Sequence, residues 1–137
     1  MPLSMASWMY RGYLLDTQVM VWVTNAPNRI GNQAMKAIET RPVYFSSVSV
    51  AELGFKRSIG KFEMHPEVAE SWINVGIKPL NFDLQAAAAF ARFPASQVPD
   101  PMDRQIMATA AANNLILITS DRKILAQRFD WVLDATT

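Results

Sequence analysis

Short, continuously apolar runs alternate with segments of helical periodicity along this chain, and this alternation is the feature that most constrains its fold. The clearest run covers residues 115–119, and others cover residues 12–16, 42–45, 76–80 and 131–133. Strands that are apolar at every position are buried on both faces, which is typical of a parallel sheet covered by helices. The sequence therefore predicts an α/β fold with a parallel sheet between two helical layers.

The segments between these runs have helical spacing and end at glycine, proline or asparagine turns. We predict helices over residues 17–23, 31–40, 48–57, 63–74, 83–93, 101–113 and 121–128. No repeat or linker interrupts the 137 residues, so we expect one domain over residues 1–137. Residues 1–9 are expected to be a loose N-terminal extension, with Met9 as an alternative start.

The composition limits the kinds of catalytic and metal-binding site that this chain can form. The chain has no cysteine and one histidine, His65, which stands near a predicted helix start and is assigned only a surface or capping role. Thiolate metal sites, disulfides and cysteine nucleophiles are excluded, so a metal would be held mainly by oxygen. The net charge of +1 neither requires nor excludes a polyanionic partner. Since there is no signal peptide or membrane-length apolar run, we expect a cytoplasmic protein with no membrane partner.

Five acids stand where strands pass into helices or in the early turns of helices. They are Asp16, Glu52, Asp100, Asp103 and Asp121. Each has an ordinary interpretation as part of a helix N-terminus: Asp16 and Asp121 as caps, Ser49 to Glu52 as a capping box, and Asp100 as a cap before Pro101. Capping alone does not explain the faces on which these acids lie.

Helical spacing aligns four of the acids with apolar residues. The alignments are Asp16 with Val19 and Met20, Asp103 with Ile106 and Met107, Asp121 with Ile124 and Leu125, and Glu52 with Val48, Ala51 and Phe55. Carboxylates that converge in a partly buried pocket repel one another, so they must bind protons or share a cation. Oxygen-only ligands favour Mg²⁺ or Mn²⁺, and such ions hydrolyse phosphate esters with activated water.

Four motifs in fixed order carry a resemblance to a known family. They are Leu-Leu-Asp-Thr at 14–17, Ser-Ser-Val-Ser-Val-Ala-Glu at 46–52, Asp-Pro-Met-Asp-Arg at 100–104 and Ile-Thr-Ser-Asp at 118–121. In this order the chain resembles the PIN-domain ribonucleases, and among them the VapC toxins of toxin-antitoxin systems, from about residue 13 to 132. The resemblance implies a three-layer α/β/α fold with a five-stranded parallel sheet in the order 3-2-1-4-5. It further implies Mg²⁺- or Mn²⁺-dependent endonucleolytic cleavage of RNA, and restraint by a cognate VapB-type antitoxin; we also expect a homodimer.

Matching by position assigns roles to individual residues. Asp16, Glu52, Asp103 and Asp121 match the catalytic acids of the family, and Asp16, Asp103 and Asp121 are the expected metal ligands. Asp100 matches an extra acid of one subgroup, and Thr119 is expected to contribute to the pocket as a second auxiliary residue. Basic residues close to the motifs are candidate RNA contacts, namely Lys56, Arg57, Lys61, Arg104 and Arg122.

The chain departs from the family at a few positions. Relatives commonly have a histidine where Gln18 stands and another within residues 93–99, and Met102 replaces a phenylalanine. A catalytically weakened PIN-like module that binds RNA or protein therefore stays open as the alternative. A haloacid-dehalogenase-like phosphatase needs a second aspartate at position 18, and a response-regulator receiver needs an acidic pair where Leu14 and Leu15 stand, so both classes fit poorly.

Overall fold

A computed structural model describes residues 8–61 and 63–137. The strands within them are β1 (Tyr13–Leu15), β2 (Val43–Ser46), β3 (Lys78–Leu80), β4 (Ile116–Thr119) and β5 (Val132–Asp134). The helices are α1 (Thr17–Asn25), α2 (Asn32–Thr40), α3 (Ser47–Ser58), α4 (Val68–Asn74), α5 (Leu84–Ala89), α6 (Pro101–Ala112) and α7 (Arg122–Leu125). Short 3₁₀ turns cover Pro27–Arg29 and Phe90–Arg92. The predicted α/β class is confirmed.

The five strands form one parallel sheet in the order β3-β2-β1-β4-β5, as the resemblance implied. The central strand β1 pairs on both sides, so that Leu14 lies opposite Tyr44 of β2 and Leu117 of β4. The chain passes from β1 to β2 and β3 on one side and then crosses to β4 and β5 on the other side of β1, so the carboxyl ends of β1 and β4 flank a topological switch point. Open α/β sheets bind their ligands in the crevice at such a point.

Alternate strand residues supply two separate cores, one on each face of the sheet. Leu15 packs in one cluster with Met20 of α1 and Trp72 of α4. Leu14 packs in the other cluster with Ile106 of α6 and Ile124 of α7. Continuous apolar strands are therefore required here, because neighbouring residues of β1 face different helical layers. The three-layer arrangement is confirmed.

Three predicted helices are shorter in the structure. The helix predicted over 63–74 begins only at Val68, because the ring of Pro66 disfavours helical backbone at the residue before it. The helix predicted over 83–93 ends as the 3₁₀ turn Phe90–Arg92 just before Pro94. The helix predicted over 121–128 ends at Leu125, and Arg128 has a left-handed backbone with φ 56°.

The capping box predicted at Ser49 to Glu52 is wrong. Helix α3 begins directly after β2, and Ser46 is its cap, with a side chain that accepts a 3.0 Å hydrogen bond from the amide of Val48. Glu52 and Ser49 are buried, whereas Ala51 and Phe55, which were predicted to share the face of Glu52, are exposed. Ser49 is therefore an interior residue of α3 that faces the same side as Glu52.

The predicted N-terminal extension is described only at its end, since residues 1–7 lie outside the described residues. The side chains of Trp8 and Met9 are exposed, and the Met9 carbonyl accepts a 3.0 Å hydrogen bond from Asn114 Nδ2. Within the described part of the chain, no helix combines the length and the apolar character that crossing a bilayer requires.

Candidate active site

A pocket of about 250 Å³ opens at the carboxyl edge of the sheet, beside the ends of β1 and β4. Its lining residues come from the starts of α1 and α6, from α3 and from the segment after β4. They are Asp16, Thr17, Gln18, Glu52, Lys56, Asp100, Asp103, Ser120 and Asp121. The structure thus brings together all five acids that the sequence singled out.

Asp16 stands at the end of β1 and is 5% exposed. Its Oδ1 accepts a 2.8 Å hydrogen bond from the amide of Thr17, which confirms its predicted role as the cap of α1. Its Oδ2 accepts a 2.6 Å hydrogen bond from the hydroxyl of Thr119. The same hydroxyl oxygen accepts a 3.0 Å hydrogen bond from the amide of Asp121. Thr119, which is fully buried, therefore orients two pocket acids.

Glu52 projects into the pocket from α3 and is 6% exposed. Thr17 Oγ1 lies 2.7 Å from Glu52 Oε1 and 2.8 Å from Ser49 Oγ. A threonine hydroxyl has one proton, and a carboxylate only accepts, so Thr17 donates to Glu52 and accepts from Ser49. The second oxygen of Glu52, Oε2, lies 2.9 Å from Lys56 Nζ. Both carboxylate oxygens of Glu52 thus have partners within the protein.

The start of α6 supplies two more acids. Asp100 is the cap, and its Oδ1 accepts hydrogen bonds from the amides of Met102 at 2.8 Å and Asp103 at 3.5 Å. Pro101 occupies the first helical position, as predicted. Asp103 lies in the first turn, and within the described part of the chain its carboxylate accepts no hydrogen bond. Its charge is the least compensated in the pocket.

Asp121 caps α7, because its Oδ1 accepts hydrogen bonds from the amides of Lys123 at 2.8 Å and Ile124 at 3.0 Å. This confirms the predicted cap. The side chain also lines the pocket, so the capping interpretation and the site interpretation hold for the same residue.

Burial and mutual repulsion raise the proton affinity of two of these acids. Desolvation raises the pKa of Asp103 to about 8, and nearby negative charges add to the effect. Those charges belong to Asp16, Asp100, Asp121 and Glu52. Desolvation also raises the pKa of Asp16 to about 6, although its hydrogen bonds oppose the shift. A pocket that retains protons near neutral pH is one in which a cation can exchange for them.

The donor set of the pocket fits a hard divalent cation, since every candidate ligand is oxygen. Within residues 8–61 and 63–137, no group of three or more acidic or histidine side chains is arranged to hold a metal ion unaided. Mg²⁺ retains several waters and commonly binds through one or two carboxylates, so a complete protein cage is not needed. The uncompensated carboxylate of Asp103 beside Asp16 meets that smaller requirement.

The predicted RNA contacts differ in their relation to the pocket. Lys56 lines it directly. Arg57 lines a neighbouring groove that also contains His65, and Arg122 is exposed at the start of α7 next to Asp121. Lys61 is exposed beyond the end of α3. Lys56 is therefore the one predicted contact that lines the pocket, and Arg57, Lys61 and Arg122 are near it.

Arg104 is not brought to the pocket. Its guanidinium lies 4.9 Å from the centre of the Phe90 ring, and it donates hydrogen bonds to the carbonyls of Phe93 at 3.4 Å and Pro99 at 3.5 Å. These contacts hold the segment 93–99 against α6. The structure thus gives Arg104 a packing function in place of the predicted RNA contact.

Sequence reasoning missed three parts of the site. Thr17 was not recognised as a partner of Glu52, nor Ser49 as a partner of Thr17, and the ion pair between Glu52 and Lys56 was not predicted. A signal for the ion pair was present, because an acid four residues before a lysine on a helix is a favourable pair. Ser49 was interpreted as the helix cap, although its spacing of three residues from Glu52 places both residues on one face of α3.

Comparison with known families identifies the fold. The family model described as PIN domain matches residues 13–130. The chain belongs to the PIN-domain family. This PIN domain is 30% identical over 123 residues to the ribonuclease VapC22 of Mycobacterium tuberculosis, covering 84% of this chain and 91% of the relative. The resemblance to VapC proteins inferred from the motifs is confirmed.

Solved structures show the same fold. VapBC-1 from nontypeable Haemophilus influenzae has a TM-score of 0.64 at 19% identity, covering 91% of this chain and 98% of that one. A toxin-antitoxin complex from Klebsiella pneumoniae has a TM-score of 0.63 at 19% identity, covering 90% of this chain and 98% of that one. These neighbours share the architecture of the PIN domain over nearly its whole length.

Proposed function

We propose that this PIN domain is an endoribonuclease that hydrolyses RNA phosphodiester bonds with Mg²⁺ or Mn²⁺. The observation that carries the proposal is the convergence of five carboxylates on one pocket at the switch point of the sheet. The kinship with a protein named as a ribonuclease supports the same activity. A pocket of this kind has no cysteine or histidine nucleophile, so hydrolysis by water is the chemistry that its residues favour.

The residues of the pocket would have different roles in binding the ion and positioning the attacking water. Asp16, Asp103 and Asp121 would hold the ion together with waters that it retains, and the ion when bound would supply the Lewis acidity that activates water and stabilises the leaving oxygen. Thr119 would keep Asp16 in its ligating orientation through the 2.6 Å hydrogen bond. Glu52, fixed by Thr17 and Lys56, would orient the attacking water as the fourth catalytic acid.

The backbone of RNA would approach through its phosphates. Lys56 in the pocket, together with Arg57, Lys61 and Arg122 around it, would bind phosphate oxygens. Such contacts position a nucleic acid and carry no sequence information by themselves.

The test is to incubate the purified protein with total RNA in Mg²⁺ and in EDTA, and to map new 5′ ends. New ends that appear only with the ion support the proposal. RNA binding without new ends would favour the alternative of a catalytically weakened binding module. The specific indication for this alternative is Gln18, which lines the pocket at a position where relatives commonly have histidine.

We further propose that a small VapB-type antitoxin restrains the activity. Neighbours of the same fold are toxin-antitoxin complexes, which supports a partner of this kind. An arginine or lysine of the partner would pair with the pocket acids and compete with the ion, so Mg²⁺ and the partner would weaken each other's binding. Titration calorimetry with the product of the neighbouring small reading frame, at low and high Mg²⁺, measures this linkage; equal affinities would contradict it.

We also propose that the protein forms a homodimer. Phe55 lies in α3 and Ile59 directly follows it, so that their apolar side chains are about one helical turn apart. They are 56% and 49% exposed, which supports an apolar contact with a second copy of the chain at this surface. Light scattering should give the mass of two chains, and Phe55→Ser should shift it to one. A single-chain mass for the unaltered protein would contradict the proposal.

A further inference from the structure

Lys56 is the one basic side chain that lines the pocket among the residues that the structure describes, and five acids surround the same space. Its Nζ lies 2.9 Å from Glu52 Oε2. The Lys56 side chain is 39% exposed and that of Glu52 is 8% exposed, so the pair joins the buried wall of the pocket to its mouth. The ammonium group is therefore a cation that the chain itself supplies.

The pair is held in place from both sides. Glu52 and Lys56 are four residues apart on α3, the spacing at which side chains on one helix face meet. The other oxygen of Glu52 accepts a 2.7 Å hydrogen bond from Thr17 Oγ1, which fixes the carboxylate against α1. Each carboxylate oxygen of Glu52 thus has a partner, whereas Asp103 has none for its carboxylate within the described residues.

Charge compensation in the pocket is consequently uneven. On the α3 side, the charge of Glu52 is neutralised by Lys56. Asp16, Asp103 and Asp121 also line the pocket, and none of them forms an ion pair with a basic side chain of the described residues. A divalent ion binds most favourably beside carboxylates that have no positive partner, and a nearby ammonium group repels it.

We propose that the ammonium of Lys56 fills the second cation position of the pocket, so that the protein binds a single divalent ion, on the side of Asp16, Asp103 and Asp121. This inference rests on the proposed function, because it concerns the same site. Enzymes with paired metals use the second ion about 4 Å from the first to bind substrate and leaving group. Here the fixed charge of Lys56 takes that place and presents a phosphate-binding group instead.

The test counts Mn²⁺ ions bound per chain, without RNA, by electron paramagnetic resonance of the free ion with calorimetry as a check. The unaltered protein should bind one ion. Lys56→Met keeps the length of the side chain and removes its charge, so it should bind a second ion, and Lys56→Arg should again bind one. The double variant Glu52→Gln with Lys56→Met should lose the second ion, since its carboxylate is gone.

Arg57→Met is the matched control, because it removes an equal charge from the next position of α3, outside the lining of the pocket. It should bind one ion. Two ions in the unaltered protein, or one ion in Lys56→Met with native circular dichroism, would overturn the inference. RNA cleavage is measured separately from ion binding. One bound ion without cleavage would support the inference and contradict the proposed function. Two bound ions with cleavage would contradict the inference and support the proposed function.

Discussion

The hydroxyl of Thr119 donates a 2.6 Å hydrogen bond to Asp16 Oδ2, across 103 positions of sequence. The two residues stand at the carboxyl ends of neighbouring strands, and the amide of Asp16 also donates a 3.0 Å hydrogen bond to the carbonyl of Ile118. The Thr119 side chain thus adds a hydrogen bond between the ends of β1 and β4, beyond their backbone pairing and within the pocket. This contact sets the direction in which the Asp16 carboxylate points.

Thr119→Val should destabilise the metal-free protein and weaken its binding of Mn²⁺. Valine has nearly the same shape but leaves Asp16 Oδ2 and the amide of Asp121 without this partner, and an unsatisfied buried polar group costs about 1–3 kcal/mol. Urea denaturation in EDTA and a Mn²⁺ titration measure the two effects. Thr119→Ser keeps the hydroxyl and should retain most of the Mn²⁺ affinity; equal losses in both variants would show that packing, not the hydrogen bond, is what matters.

Asp100→Ala should cost about 1 kcal/mol of folding stability and leave most of the cleavage rate, because the side chain is chiefly the cap of α6. Asp100→Asn keeps a capping oxygen and removes the charge, so its stability should be close to that of the unaltered protein. Thermal melting and initial cleavage rates separate the two roles. Loss of cleavage in Asp100→Asn with an unchanged melting temperature would instead make Asp100 a metal ligand.

In EDTA, the protein should lose stability as pH rises from about 4 to about 8. Asp16 and Asp103 have pKa values raised on folding to about 6 and about 8, so the folded state binds their protons more tightly than the unfolded chain. Their contribution is fully present below the ordinary aspartate pKa and is lost as pH rises through the raised values. Asp103→Asn should flatten the upper part of this dependence. Glu39→Gln, at an exposed acid of α2, should not. The same slope in both variants would contradict the assignment.

The sheet was predictable because its strands carry their own signal. Residues 115–118 are apolar at every position, and β4 is buried throughout because helices cover both of its faces. The order of the strands came from the resemblance, since periodicity alone does not say which strands are neighbours. The caps at Asp16, Asp100 and Asp121 were also predictable, because a cap depends on only three or four residues of local sequence.

The parts that were missed depend on contacts between distant segments. Two serines near the start of α3 are both good caps, and the end of β2 decides in favour of Ser46. Phe55, which was expected on the buried face with Glu52, is exposed, because no other element of the described chain covers it. Arg104 was predicted to contact RNA because it follows Asp103 in the sequence. In the structure its guanidinium packs on the ring of Phe90, 14 positions earlier. Neither outcome can be read from a short window of sequence.

The central claim is that the acids of the pocket hold the ion that drives RNA cleavage. Its most direct test is the Mg²⁺ dependence of single-turnover cleavage by the unaltered protein and by Asp103→Asn, which keeps the shape of the side chain and removes one charge. We predict that EDTA abolishes cleavage by the unaltered protein. We also predict that Asp103→Asn stays folded, yet does not cleave at Mg²⁺ concentrations that saturate the unaltered protein. Cleavage by Asp103→Asn at the unaltered rate, with the same Mg²⁺ midpoint, would contradict the account.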